Sequence, residues 1–126
     1  MPVRSLNSSV FKWPDQRTVH QAVKSWSIQQ AHHRPDLNRL GYFGSYARGD
    51  WGVGSDLDLV AVVDGASEPV ERRGVNWELN SLPVPADLLV YTILEWKALQ
   101  KRRDKFITML NTEVIWTYRR NGNLEP

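Results

Sequence analysis

The sequence has no cysteine and little net charge, although it is rich in charged side chains. Without cysteine the chain can have neither a disulfide framework nor thiolate chemistry. The formal net charge of +2 is too small to argue by itself for direct nucleic-acid binding, and we expect none. The basic residues cluster at 72–73, 101–105 and 119–120. Solvated helix faces and chain ends explain these clusters better than a partner-binding surface does.

Long apolar runs are also missing. No apolar run is long enough to cross a bilayer, and residues 1–13 lack the apolar core of a signal peptide. We therefore expect a cytoplasmic protein that does not contact membranes. The 126 residues, 41% hydrophobic and 24% charged, match one ordinary globular domain. We predict a single domain over residues 1–126, with residues 1–12 and 120–126 irregular.

The most informative stretch, residues 41–63, reads GYFGSYARGDWGVGSDLDLVAVV. An apolar run ends just before Gly44 and Ser45, and Asp56 and Asp58 stand at the head of a second apolar run. Since Asp56 and Asp58 are two apart on a strand, both carboxylates point to the same face. Such a pair repels unless a cation lies between them, and Mg2+ favours carboxylate and phosphate oxygens. The turn at Gly44 and Ser45 offers backbone N–H groups to an anion.

Hydrophobic periodicity predicts an α/β (α+β) fold in which helices flank a small mixed sheet of three to four strands. Asp15 is a suitable N-cap for the first helix, and Thr92 with Glu95 forms a capping box for a later one. The predicted elements are a helix over 15–31, strands over 37–43, 57–63, 84–91 and 114–118, a short helix over 45–49, a broken helix over 68–81, and one or two helices between 92 and 110.

Three side chains leave alternatives open. Asp87 lies inside the apolar strand VPADLLVY, where it is either an edge-strand aspartate facing solvent or a third carboxylate beside Asp56 and Asp58. Arg48 either contacts phosphate or forms a structural salt bridge. Trp51 could stack on a base, pack on its loop or meet a partner, and we favour packing on the loop.

The spacing of Gly44, Ser45, Asp56, Leu57 and Asp58 matches the G-S-x10-D-x-D signature of the DNA polymerase β-like nucleotidyltransferases. The segments FGSYARGD and SDLDLVAVV resemble the minimal nucleotidyltransferase (MNT) subgroup in particular. The resemblance is sharpest over residues 40–63, and it implies the polymerase β-like nucleotidyltransferase fold. A tryptophan within this loop departs from the family, which more often has small or acidic residues there.

The resemblance also implies roles for individual residues. In this family a third acidic residue lies on the following strand in a similar setting, which favours the carboxylate alternative for Asp87. The glycine and serine of the signature contact the β- and γ-phosphates of the nucleotide. The expected catalytic and metal-binding residues, for one or two Mg2+ ions, are Asp56, Asp58 and Asp87, and the expected nucleotide- and phosphate-binding residues are Gly44, Ser45, Arg48 and Ser55.

The activity that the resemblance implies is transfer of AMP from ATP to a hydroxyl group, with release of pyrophosphate. MNT proteins of this size resemble the antitoxins of HEPN/MNT toxin–antitoxin modules, in which the MNT protein adenylylates a tyrosine of a helical HEPN ribonuclease. We therefore expect a protein adenylyltransferase that acts as a type VII-like antitoxin on a HEPN-type partner. Two alternatives stay open: a non-catalytic antitoxin that covers its partner, and transfer to a small molecule such as an aminoglycoside. The second would place the acceptor at a homodimer interface, because larger relatives use an additional domain for it.

Overall fold

The computed structural model describes residues 13–121 and has a single mixed sheet of four strands within them. The strand order is β3–β2–β1–β4, for β1 (Leu37–Phe43), β2 (Leu57–Val63), β3 (Ala86–Thr92) and β4 (Ile115–Arg119). Strand β1 is antiparallel to both β2 and β4, whereas β2 and β3 run parallel. The predicted irregular ends, 1–12 and all but the first two residues of 120–126, lie outside the described residues.

Five α-helices accompany the sheet in the described part of the chain, so the predicted fold class is confirmed. Within residues 13–121 no helix combines the length and apolarity that a bilayer-spanning segment needs. The helices are α1 (Gln16–His33), α2 (Ser45–Arg48), α3 (Val70–Arg73), which a 3-10 turn (Gly74–Asn76) follows, α4 (Ile93–Lys101) and α5 (Lys105–Glu113).

Helix α1 covers one face of the sheet. Its start is confirmed, because the Asp15 carboxylate accepts a hydrogen bond of 2.9 Å from the Thr18 backbone N–H. Val19, Val23 and Trp26 then follow at helical spacing and are buried in the main core. Burying side chains of this size contributes about 1.5–3 kcal/mol each, which fixes α1 on the sheet.

Strand β2 is buried on both faces, as the apolar run beyond its acidic head predicts. Leu57 and Leu59 belong to the core under α1, whereas Val60 packs on the opposite side with Leu110 of α5. Because side chains alternate along a strand, Asp58 shares the face of Val60. The candidate carboxylate therefore lies on the α5 side of the sheet.

The predicted start of the third strand, at residue 84, is wrong by two residues. Strand β3 begins at Ala86, just after Pro85. Proline has no N–H to donate to a sheet, but the Pro85 carbonyl accepts a hydrogen bond of 2.8 Å from the Leu57 N–H. Residues 84–85 thus approach β2 without joining the ladder.

The predicted broken helix over 68–81 is helical only over residues 70–76. An ion pair holds this segment: the Arg73 guanidinium contacts the Glu95 carboxylate at 2.5 and 3.0 Å and also donates to the Val90 carbonyl at 3.1 Å. Glu95 completes the predicted capping box with Thr92 at the start of α4. The bond from Arg73 lowers the pKa of Glu95 to about 2.

The basic clusters are partly used by the fold itself. Besides Arg73, Arg120 contacts Asp64 through two hydrogen bonds of 2.8 Å, and Arg102 pairs with Asp104. These pairs tie the end of β4 to the end of β2 and support the N-cap of α5. Arg102 is exposed, as expected for a solvated surface, whereas the Arg73 side chain is only 8% exposed, so the prediction of a solvated helix face is wrong for that residue.

Candidate functional site

The turn between β1 and α2 admits only glycine at position 44. Gly44 has φ +82° and ψ −154°, a combination that side-chain-bearing residues avoid. A Cβ atom on Gly44 would lie 2.3 Å from Oδ2 of Asp58. The Asp58 carboxylate therefore rests directly on the Gly44 backbone, and the two halves of the signature in the sequence meet in space.

Asp58 and Asp87 are register partners on the parallel strands β2 and β3. Neighbouring strands lie roughly 4.8 Å apart, and Asp56 immediately precedes β2. Burial raises the pKa of the Asp58 carboxyl, and the negative charges of Asp87 and Asp56 raise it further. The structure therefore brings the three predicted carboxylates to one end of the sheet.

Asp87 faces solvent on an edge strand, which is one of its two predicted alternatives, and its role as a third site carboxylate stays a prediction. Its side chain is exposed on β3, which is an edge strand, and it is also the strand neighbour of Asp58. Exposure leaves its carboxylate accessible to a solute, while the register keeps it beside the other two. A solvent-facing aspartate and a third site carboxylate are thus compatible descriptions of this residue.

The donor chemistry of the three aspartates fits a hard divalent cation. Carboxylate oxygens are preferred by Mg2+. Burial first, and then the negative charges of Asp87 and Asp56, raise the pKa of Asp58, and the positive charge of Arg48 only partly offsets them. Within residues 13–121, however, no three histidine, cysteine, aspartate or glutamate side chains are arranged as a ready metal site. Metal binding at Asp56, Asp58 and Asp87 therefore stays a prediction.

Arg48 forms a salt bridge, which is one of its two predicted alternatives. Its Nη1 lies 3.2 Å from each carboxylate oxygen of Glu113, and its Nε lies 3.0 Å from Oδ2 of Asp50. Hydrogen bonds to Asp50 and Glu113 raise the pKa of Arg48. The guanidinium is thereby held beside the Gly44 turn, and its contact with phosphate stays a prediction.

The two serines of the predicted site differ in their surroundings. Ser45 is half-buried at the start of α2, next to Gly44. The Ser55 hydroxyl accepts a hydrogen bond of 2.8 Å from the Gly52 N–H, and the Ser55 N–H donates to the Gly52 carbonyl at 3.0 Å. Ser55 thus closes the loop before Asp56, and its contact with phosphate stays a prediction.

Glu113 is a site residue that the sequence interpretation missed. One of its carboxylate oxygens accepts a hydrogen bond of 3.2 Å from the Gly44 N–H, and both contact Arg48. Glu113 is the last residue of α5, where a negative charge opposes the helix dipole. An acidic residue at that helix end, without a basic neighbour in the last turn, was a usable signal for a tertiary partner.

Trp51 packs against helix α2 and the main core rather than on its own loop, where it was predicted to pack. Its ring stacks on Tyr46 with 5.7 Å between centroids and 7° between planes. Tyr46 is fully buried, and its hydroxyl donates a hydrogen bond of 2.8 Å to the Pro14 carbonyl. The stack connects the loop after α2 to the core beneath α1.

Several solved structures share this fold. A proposed nucleotidyltransferase from Sulfolobus solfataricus superposes with a TM-score of 0.61 at 22% identity, over 87% of this chain and 88% of that one. A toxin–antitoxin structure with AMP-PNP gives a TM-score of 0.55 at 18% identity, over 77% of this chain and 73% of the other. A mutant of the MntA-HpeT toxin–antitoxin gives 0.53 at 15% identity, with the same coverage. At these identities the likeness concerns the fold.

The sequence comparison assigns the family. Curated protein sequences gave no match. The family described as "Nucleotidyltransferase domain" matches residues 29–111, which include the Gly44 turn, all three aspartates and Arg48. The match spans more than half of the 126 residues. This chain belongs to the nucleotidyltransferase domain family.

Proposed function

We propose that the chain transfers AMP from ATP to a hydroxyl group of a partner protein, and that it silences this partner as an antitoxin. The observation that carries the proposal is the position of Asp58, between the Gly44 backbone and Asp87. It places a carboxylate pair beside a backbone turn and an arginine, Arg48, that Glu113 and Asp50 hold in place, which suits a nucleotide triphosphate. Membership of the nucleotidyltransferase domain family supports the reaction type.

Asp56 and Asp58 would hold Mg2+, with Asp87 as a further ligand for one or two ions. When bound, the ion supplies positive charge that offsets the phosphate oxygens and the three carboxylates. The Gly44 N–H and the Arg48 guanidinium would bind the β- and γ-phosphates. Ser45 and Ser55 would contact the phosphates at the edge of the site. Most of the rate gain would come from positioning and charge neutralisation.

The reaction itself is a substitution at the α-phosphorus of ATP. The acceptor oxygen forms a bond to the α-phosphorus, and the bond from that phosphorus to the β-phosphate oxygen breaks. Pyrophosphate leaves with the electron pair of the broken bond. Asp87, exposed beside Asp58, would take the proton of the acceptor hydroxyl.

The partner is proposed from the structural likeness. Two solved structures with this fold are toxin–antitoxin assemblies, and one of them contains AMP-PNP. We propose a HEPN-type helical toxin as partner and acceptor, in the cytoplasm, with a protein hydroxyl as the modified group. A homodimer belongs to the alternative in which the acceptor is small.

Transfer of label tests the proposal. ATP labelled at the α-phosphate is incubated with the chain, Mg2+ and the protein encoded by the neighbouring gene. We expect label on that protein, and Asp87→Asn should reduce its rate by about 10²–10⁴-fold, because a positioned base is lost. Asp36→Asn is the matched control, since this exposed aspartate precedes β1 at the opposite end of the sheet.

Other outcomes separate the alternatives. If the partner is inhibited without becoming labelled, the chain is a non-catalytic antitoxin and the transfer proposal is wrong. If label appears on an aminoglycoside but not on protein, the acceptor proposal is wrong while the reaction type stands.

A further inference from the structure

Glu113 brings an internal carboxylate to the groups that are proposed to bind phosphate. Its Oε1 accepts from the Gly44 N–H at 3.2 Å, and both of its oxygens lie 3.2 Å from Nη1 of Arg48. The Glu113 side chain is only 15% exposed, whereas that of Arg48 is 44% exposed. A largely covered anion therefore contacts both the backbone donor and the guanidinium.

These contacts are those that a phosphate oxygen would make. A carboxylate and a phosphate both present oxygens to N–H donors, and arginine pairs with either. The distances of 3.2 Å are at the long end for charge-assisted hydrogen bonds. An anion with more charge and better geometry can replace Glu113 at both donors.

We propose that Glu113 acts as an internal substitute for phosphate, occupying the Gly44 and Arg48 donors until the triphosphate displaces it. The inference rests on the proposed function, because it concerns the phosphate site of that function. Displacement frees Arg48 to follow the phosphate, while Asp50 retains the Nε of the guanidinium at 3.0 Å. Glu113 is thus a positioning residue, which holds the donors of the empty site in place.

The negative charge of Glu113 should also affect how tightly an anion binds at the turn. Glu113 contributes, after Asp87 and Asp56, to the negative potential that acts on the Asp58 carboxyl. A triphosphate approaching the turn therefore meets an additional carboxylate as well as a competitor for its donors. Removing only the charge of Glu113 should strengthen anion binding rather than weaken it.

Tripolyphosphate, without divalent cations, is the probe. We expect Glu113→Gln to bind it roughly threefold to tenfold more tightly than the wild type in a calorimetric titration, since a charged competitor becomes a neutral one. Asp50→Asn is the matched control: it also removes a carboxylate from Arg48, but Asp50 does not contact Gly44 among the described hydrogen bonds. Its affinity should change less than about twofold, as exposed ion pairs contribute little.

Weaker or equal binding by Glu113→Gln overturns the inference, since Glu113 would then merely brace the turn. Equal strengthening by Asp50→Asn also overturns it, because charge removal near Arg48 would explain the result. A second measurement needs no variant: saturating tripolyphosphate should shift the carboxyl carbon resonance of Glu113 in the wild type. The displacement is contradicted if tripolyphosphate saturates the protein without that shift. It is also contradicted if tripolyphosphate binds to no form of the protein.

The displacement inference and the proposed function can be contradicted independently of each other. If tripolyphosphate binds more tightly to Glu113→Gln but no form binds ATP with Mg2+ or transfers AMP, the displacement by phosphate stands and nucleotidyl transfer does not.

Discussion

Asp58 and Asp87 lie opposite each other on parallel strands, with the Asp58 carboxylate pressed against the Gly44 backbone. Without a cation this arrangement is electrostatically unfavourable, because both side chains carry the same charge at the same end of the sheet. The burial of Asp58 increases the cost and raises the pKa of its carboxyl. These two carboxylates therefore make the folded protein less stable than neutral side chains at the same positions would, as is common at functional sites.

Replacing Asp58 by asparagine should therefore stabilise the protein when divalent cations are absent. We expect a gain on the order of 1 kcal/mol in the free energy of unfolding, because a repulsive charge is removed while the shape is kept. Thermal unfolding in a chelator checks this, with Asp36→Asn as control for an exposed aspartate at the other end of the sheet. A lower unfolding midpoint for Asp58→Asn would mean that the carboxylate is stabilising.

Gly44→Ala should lower stability more than Gly49→Ala. Both glycines have positive φ, +82° and +89°. A Cβ atom at position 44 would collide with Asp58, whereas a Cβ atom at position 49 would meet no atom within 4 Å. We expect about 1 kcal/mol for Gly49→Ala and about 2–3 kcal/mol for Gly44→Ala. Urea unfolding measures both, and equal losses would argue against the close approach of Asp58.

The ion pair between Arg73 and Glu95 should make stability depend on acid pH. The pKa of Glu95 falls from 4.5 to about 2 on folding, so its contribution is complete above pH 4.5. That contribution is lost as the pH falls through about 2. The difference in unfolding free energy between wild type and Glu95→Gln should therefore shrink between these values.

Urea unfolding across that pH range measures the difference, and Glu71→Gln, at an exposed glutamate of α3, is the control. A difference that is constant with pH would contradict the assigned ion pair.

Trp51 should matter for stability and little for nucleotide affinity. Its ring stacks on the buried Tyr46, and such pairs contribute about 0.5–1.5 kcal/mol beyond their area. Trp51→Ala should lose roughly 1–2 kcal/mol of unfolding free energy, and Trp51→Phe much less. A Trp51→Ala protein of unchanged stability that binds ATP poorly would instead indicate stacking on the base.

Local patterns were sufficient for most of the fold. The predicted bounds of β1 and β2 match those observed, because each strand ends in apolar residues that are followed directly by a turn containing glycine. The caps at Asp15 and Thr92 were also predicted, since a cap depends on residues only three positions apart. By contrast, the start of β3 depends on how Pro85 meets β2, which periodicity does not report.

The site was predictable only in part for the same reason. The signature residues lie close in sequence, so the meeting of Gly44 with Asp58 follows from one turn and one strand pair. Glu113 reaches Gly44 across 69 positions of sequence, and its contact depends on how α5 packs over the sheet. Ser55 lies near the signature in sequence, but its hydroxyl accepts a hydrogen bond from the Gly52 N–H of its own loop. Nearness in sequence did not predict this contact.

The most direct test of the account is a calorimetric titration of ATP with and without Mg2+ on the wild type and on an Asp56→Asn, Asp58→Asn double variant. We predict binding that requires Mg2+ in the wild type and is lost in a folded double variant, because the carboxylates that hold the cation are gone. A folded wild type that does not bind ATP with Mg2+ would contradict the nucleotidyltransferase account of this chain.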